Sequence, residues 1–464
     1  MNRGVERLVV GLAALYVVIL AWAMMNVSYD IWGAFVVLPV LVFASLVIIR
    51  RLFRDESPAI FRIAVVGLGA KFVGTVVRYW LTYDAYEGLS DSEVYHVGAK
   101  AIADGIHSGD LSARQIIPSG TNTAFIQQLT GSIYTLFGSS RLGAFFIFAW
   151  LAYCGTVLFV RAGMIAVPGI AKKRYAILVL LSPSLLYWPS SIGKEAWMLL
   201  TLGVATYGVA RVLAGRWGLS SVVYIVVGLL GAGLVRPHFA AMWVGALVVA
   251  LIVGLFSRAR GGRSRGKFAS VMLLGVAVVG LFFVGGATLR FLNQSNSGDS
   301  TVAVTEQVTG LFATTNFRTD GGGSKFESVV ITGPRDWPYA IMRTMTRPLL
   351  NEARSFAELI PAIEMTALLL LAIVSWRRLF HVLHMLRRCP YVMFALVVLG
   401  VFGLAFSSFS NLAILTRQRS LVMPLFLLPF CLPPWMAKRI ERPAADAGIA
   451  HYPNVRSHAA LTSS

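Results

Sequence analysis

The segment Tyr83-Asp84-Ala85-Tyr86-Glu87-Gly88-Leu89-Ser90-Asp91-Ser92-Glu93-Val94-Tyr95-His96 gathers four carboxylates, three tyrosines and one histidine in a chain otherwise poor in charge. Such a cluster could receive a proton from an acceptor hydroxyl or hold a divalent cation. Asp91 is the first candidate for either role, and Asp84 competes with it. If a cation such as Mg or Mn is used, Asp91 and Glu93 are its expected ligands. Ser90 and Glu93 fit the S-x-x-E capping box, which predicts a helix from Asp91 towards Ile106 with Val94, Val97, Ala101 and Ile102 on its apolar side. On that helix Glu93 and His96 are three residues apart and share a face. Glu93 is equally a helix cap that complements the dipole, and His96 is either a helper at the site or a surface histidine. Tyr95 is a supporting hydroxyl.

Candidate anion ligands lie elsewhere along the chain. The string Ser182-Pro183-Ser184-Leu185-Leu186-Tyr187-Trp188-Pro189-Ser190-Ser191-Ile192-Gly193-Lys194-Glu195 breaks a helix and ends in a cation beside a carboxylate. Lys194 could hold an anionic headgroup while Glu195 orients its ammonium, or the two could be a simple interfacial pair. Val235-Arg236-Pro237-His238 repeats the combination of chain break and cations. Arg236 is a candidate phosphate ligand with His238 beside it, the alternative being a snorkelling Arg at a helix end. In Trp337 to Pro348, Arg343 and Arg347 are four residues apart and predict one basic helical face, either an arginine clamp on phosphate oriented by Glu352 or a lipid-surface helix anchored by Trp337 and Tyr339. Ile414 to Ser420 contributes Arg417 and Arg419.

Elements that could carry these groups follow from hydropathy. Of 464 residues, 57% are hydrophobic and 13% charged, with a mean hydropathy of +0.71. These values place the chain in the membrane class as one helical bundle. With about 20 apolar residues needed per crossing, spans are predicted near 8–26, 31–49, 60–81, 142–160, 174–191, 195–213, 218–235, 238–256, 268–287, 357–375, 391–409 and 419–436. The fold class is therefore all-α, a polytopic membrane bundle of about 12 transmembrane helices filling residues 1–442. The first run lacks a small-residue cleavage site and is expected to remain as a helix.

A net charge of +20 could suggest nucleic acid, but the basic residues sit in short clusters beside apolar spans. They read as topology signals and anionic-lipid contacts, with no nucleic-acid partner. Arg50 to Arg54, Lys172 to Arg174, Arg211 with Arg216, Arg258 to Lys267, Arg377 to Arg388 and Lys438 to Arg442 all fall on one side if both termini are cytoplasmic. Two long loops, about 82–141 and 289–356, then fall on the outer face, each carrying an amphipathic helix. Arg417 and Arg419 are the exception, cations on the disfavoured side, which points to an anionic ligand there. Residues 443–464 read as a disordered cytoplasmic tail. Cys154, Cys389 and Cys431 show no ligand spacing and are expected to be free. Lys71 and Arg78 are the main charged residues inside a predicted span, as a transporter would require; Lys71 either faces a cavity or pairs locally, and its role is the least explained.

Several of these pieces together resemble the bacterial polytopic glycosyltransferases of the GT-C superfamily: Asp91 to His96, Pro183 to Glu195, Arg347-Pro348 with Glu352, and Thr416 to Arg419. The resemblance is spread over most of the chain, and only the order and common sidedness of the motifs carry it. It implies an outer-loop acidic residue acting on the acceptor, and basic residues holding a polyprenyl-phosphate sugar donor. The expected partners are that donor, a glycan or lipid acceptor and membrane lipids, and the expected location is the bacterial inner membrane. The chain departs from the pattern in placing the acidic loop after the third span and in lacking an Asp-x-Asp. Alternatives are an O-antigen-type polysaccharide polymerase or ligase, and a transporter or flippase without bond chemistry.

Overall fold

The computed structural model describes residues 3–109, 122–259, 275, 331, 333–353 and 356–434, and every regular element among them is a helix. The predicted span 268–287, most of the second long loop and the tail 443–464 lie outside the described residues. In chain order the first helices are α1 (Arg3–Asn26), α2 (Tyr29–Leu52), α3 (Pro58–Trp80, running into a π-helical turn Leu81–Ala85), α4 (Asp91–His107), α5 (Thr123–Phe137), α6 (Arg141–Ala166), α7 (Lys172–Leu180), α8 (Pro183–Tyr187) and α9 (Lys194–Leu213). They are followed by α10 (Leu219–Gly233), α11 (Pro237–Ala259), α12 (Trp337–Thr346), α13 (Phe356–Val374), α14 (Trp376–Leu386), α15 (Pro390–Ala405), α16 (Leu412–Arg419) and α17 (Met423–Phe426).

Among the described residues, five helices are long and apolar enough to cross a membrane, or six if the bent pair α13–α14 counts as one. Twelve were expected; the one at 268–287 lies outside the described residues, and four others differ for local reasons. The apolar run at 174–191 is cut into α7 and α8, because Pro183 cannot continue the ladder and starts a new helix instead. Pro424, Pro429 and Pro433 divide the last predicted span into short pieces. Helices α10 and α15 are apolar but only 15 and 16 residues long.

Close helix packing seats the parts that matter for chemistry. A Cβ on Gly155 of α6 would stand 2.2 Å from the Leu199 carbonyl oxygen of α9, and one on Gly203 would stand 2.4 Å from the Gly155 oxygen. The two backbones therefore touch, as small residues allow in a bundle that has no hydrophobic drive between helices. Gly228 does the same for α10 against Ala205 of α9. Phe239 and Trp243 of α11 pack against Phe394, Phe402 and Phe406 along α15. At one end of the bundle Glu56 pairs with Arg161 at 2.9 Å and with Lys172 at 2.7 Å. The opposite end carries the N-termini of α4, α6, α9 and α11.

Helix α4 forms where the spacing predicts, but its buried face is rotated from the expected one. Ser92, Tyr95, His96, Ala99, Ile102 and Ala103 are buried against the protein, while Val94 and Val97 are more than half exposed. Of the four residues expected on the apolar side only Ile102 is buried, and Val94, Val97 and Ala101 share the exposed face with Asp91, Lys100 and Asp104. The capping box is also absent, since the Ser90 side chain makes no cap bond and the Glu93 carboxylate is taken by Tyr83 and Arg141.

Candidate active site

Four side chains from four separate elements form one connected chain of charge. Ser90 is extended, so α4 opens at Asp91 with its carboxylate in the first turn, and that carboxylate accepts a hydrogen bond from Arg417 Nη1 at 2.6 Å. Arg417 lies on α16, which Asn411 caps by accepting from the Ile414 amide at 3.1 Å. Its remaining nitrogens turn inward: Nε lies 2.7 Å from Glu195 Oε1, and Nη2 donates to Oε2 at 2.8 Å. Arg236, at the α10–α11 junction, reaches the same carboxylate from the other side, Nη2 to Oε1 at 2.7 Å.

Exposure rises along this chain. The Glu195 side chain is 3% exposed and Arg236 11%, while Arg417 is 25% and Asp91 59% exposed. Glu195 is thus a buried hub in the first turn of α9, where the helix dipole also favours a negative charge. Its expected partner was Lys194, but the structure gives it two arginines instead. Asp91 is the open end, accessible from outside the protein.

The four charges cancel, and Lys194 adds a fifth that does not. It is half-buried beside Arg236, Glu195, Asp91 and Arg417, and it makes no ion pair or hydrogen bond among the described residues. Arg236 is likewise incompletely used, because its Nη1 is buried without a partner among the described residues. A buried guanidinium nitrogen left unpaired is costly, and an incoming anion would satisfy it. Tyr95 is buried at the same place. Burial first, then Glu195 and Asp91, hold its phenol well above the usual value, so it remains a neutral hydroxyl.

Glu93 and His96 do not join this group. Asp91 and Glu93 are two residues apart on a helix and point to different guanidiniums. Glu93 accepts from Arg141 Nη2 at 3.0 Å and from the Tyr83 hydroxyl at 3.0 Å, Arg141 also lies 3.8 Å from Asp30, and His96 Nδ1 is 2.7 Å from the Tyr134 hydroxyl. Burial and then Arg141 lower the His96 pKa. This second cluster ties α4 to α2, α5 and α6. A cation shared between Asp91 and Glu93 does not fit that geometry. Among the described residues no three His, Cys, Asp or Glu side chains converge as metal ligands.

The other expected phosphate ligands also lie apart from the four-residue chain. Arg419 is 1% exposed and donates to the backbone oxygens of Met345, at 3.1 Å, and Arg347. Two residues from Arg417 on a short helix, it faces the opposite way and fixes the end of α12 rather than a ligand. Arg347 is the extended residue that ends α12, so it shares no helical face with Arg343, and it pairs with Glu352. Arg343 is half-buried, its Nη1 3.5 Å from the Tyr339 hydroxyl. His238 packs against Phe239 and Phe406. Asp84 is exposed beyond the end of α3.

Two residues unexplained by sequence acquire roles here. Lys71 is 2% exposed, and its ammonium donates to the Leu185 oxygen at 2.7 Å and the Pro189 oxygen at 3.1 Å. These are carbonyls freed by the break at α8. Arg78 donates to the Tyr187 hydroxyl at 2.7 Å and lies over the Tyr187 and Trp188 rings. Glu364 of α13, not singled out by sequence, accepts from the Ser184 amide at 3.1 Å and from the Ser182 and Ser184 hydroxyls, capping α8. Together these three brace the irregular segment that delivers Lys194 and Glu195.

Comparison with known proteins gives no match to this chain, whether among family models, curated proteins or solved structures. The arrangement of its own residues is therefore what bears on function.

Proposed function

We propose that this protein is a membrane glycosyltransferase that moves a sugar from a polyprenyl-phosphate donor to a cell-envelope glycan or lipid acceptor at the outer face of a bacterial inner membrane. The observation that carries this reading is the Asp91–Arg417–Glu195–Arg236 chain, with Lys194 and the unpartnered Arg236 Nη1 beside it. One end offers an accessible carboxylate, and the other offers uncompensated positive charge. That polarity suits a reaction in which a proton is lost from one substrate while negative charge grows on the other.

In this mechanism the acceptor hydroxyl oxygen attacks the anomeric carbon of the donor as its proton passes to Asp91. The bond from that carbon to the phosphate oxygen breaks, and its electron pair leaves on polyprenyl phosphate, inverting the anomeric centre. Lys194 and Arg236 hold the departing phosphate. Arg417 fixes the distance between the two halves by gripping Asp91 and Glu195 together. No step runs through a metal ion.

The ion pair between Asp91 and Arg417 also favours a second reading, a polymerase or ligase of the O-antigen type, in which the cations position a diphosphate and no carboxylate takes the proton. A transporter is supported less, because Lys71 is engaged by backbone carbonyls rather than left along a path.

Transfer of labelled sugar from a panel of polyprenyl-phosphate donors, measured in membrane vesicles, tests the proposal. Wild-type transfer that falls about a hundredfold or more in Asp91→Asn supports the first reading. Transfer that survives Asp91→Asn but is lost in Lys194→Gln supports the second. Absence of transfer from every polyprenyl-linked donor overturns both.

A further inference from the structure

Helix α14 turns by 79° from α13, at Ser375, whose hydroxyl accepts a bond from Arg174 Nη2. Such a turn takes a helix out of the crossing direction and lays it along the plane of a membrane. Its composition fits that position. Trp376, Phe380 and Leu383 recur at helical spacing and are 53, 59 and 67% exposed, forming an apolar stripe that nothing among the described residues covers. Arg377, His381 and His384 occupy the adjoining strip of the helix, Arg387 and Arg388 follow its last residue, and 375–390 contains no Asp or Glu.

The opposite side of α14 is held to the protein. Met385 is buried, Arg378 Nη1 donates to the Leu432 oxygen at 2.5 Å, and Leu379 lines an apolar cavity of about 460 Å³ shared with α12, α13, α15 and α17. The exposed stripe is thus set by packing and does not arise from a loose segment. Trp376 meets Phe380 edge-on at 6.0 Å, and the Arg377 guanidinium lies 5.3 Å above the Trp376 ring.

We infer that α14 is a binding surface for anionic phospholipid headgroups, with Trp376, Phe380 and Leu383 sunk among the acyl chains and Arg377 and Arg388 on the phosphates. The partner is identified by complementarity. A stripe of aromatic and aliphatic groups bordered by cations, without acidic residues, is the pattern of an in-plane interfacial helix. The surrounding cations, Lys173 and Arg174, extend the same charge and mark this end as the one facing the anionic leaflet. Because Leu379 forms part of the cavity wall, a bound lipid would also hold that wall in place.

The test titrates short-chain phosphatidylglycerol or phosphatidylcholine into the detergent-solubilised full chain and reads hydrogen-exchange protection of residues 376–388. Phosphatidylglycerol should protect at the lower concentration. In the Arg377→Gln/Arg388→Gln double variant its apparent affinity should weaken on the order of thirtyfold, with the response to phosphatidylcholine unchanged. Both positions are exposed, so the variant should melt like wild type. Equal protection by the two lipids in wild type, or an unaltered double variant, overturns the inference. Protection that follows protein concentration rather than lipid overturns it too, and identifies a second copy of the chain as the partner.

Discussion

Arg417 grips Glu195 with two nitrogens, Nε at 2.7 Å and Nη2 at 2.8 Å, and keeps its third, Nη1, for Asp91. A bidentate guanidinium fixes direction as well as distance. The accessible carboxylate on α4 is thereby tied to the buried end of α9 through a single side chain of α16. Neither helix alone could hold the acidic and basic parts of the site in register.

Glu195 should matter more for assembly than for chemistry. Replacing it with Gln leaves Arg236 and Arg417 buried around a neutral group, and removal of one member of a buried ion network costs about 3–5 kcal/mol. Glu195→Gln should therefore melt well below wild type in detergent. An unchanged melting temperature would show that the two arginines find other counter-charges.

Asp91 should behave in the opposite way. Its side chain is 59% exposed, and a pair that open to solvent contributes about 0–1 kcal/mol. Asp91→Asn should fold and melt almost as wild type while sugar transfer falls about a hundredfold or more. Thermal melting and a vesicle transfer assay on the same preparation separate the two effects. Parallel loss of both would place Asp91 among the structural residues.

The His96–Tyr134 bond predicts a pH dependence with a definite sign. Burial and then Arg141 lower the pKa of His96 in the fold, so the folded chain keeps the imidazole neutral where an unfolded chain, with a value near 6.5, takes up a proton. Unfolding then binds protons, and stability falls as pH drops below about 6.5. Melting of the wild type should decline through that range, and His96→Gln, which cannot titrate, should flatten the decline. A wild-type melting temperature that holds steady through the range would mean that the imidazole is not kept neutral.

Much of the site was legible because charge at the end of an apolar run is expensive and therefore informative. Asp91, Lys194, Glu195, Arg236 and Arg417 were all found by that argument, and the helix beginning at Asp91 was found by its flanking pattern. Pairing was not legible. Glu195 adjoins Lys194 in sequence, yet two arginines from other elements take it, and adjacency says nothing about which distant guanidinium arrives. The buried face of α4 was misplaced because Tyr95, Ala99, Ile102 and Ala103 form a second apolar stripe on the same helix, and periodicity alone does not choose between it and the one through Val94 and Val97. Two of the expected spans are not single helices, because a hydropathy window sums composition and ignores where Pro183, Pro424 and Pro429 interrupt the backbone. Arg417 and Arg419 were grouped as ligands, although two residues on a helix separate them by more than half a turn.

Lys71 supplies the most demanding test of how the site is supported. Its ammonium answers the Leu185 and Pro189 carbonyls, which lack helical partners because residue 189, the would-be donor to Leu185, is a proline without an N–H, and no helix resumes until Lys194. Lys71→Met keeps the length and apolar stem but leaves both acceptors buried and unpaired, at about 1–3 kcal/mol each. The segment from Leu185 to Glu195 should loosen as a result, displacing Lys194 without touching it. Hydrogen exchange over residues 185–195 should rise in Lys71→Met, and the KM for the donor should increase more than kcat falls, because the proposed reaction assigns phosphate binding to Lys194 and proton removal to Asp91. Unchanged exchange in that segment would mean that Glu364 and Arg78 suffice to hold it, and that Lys71 is dispensable for positioning the site.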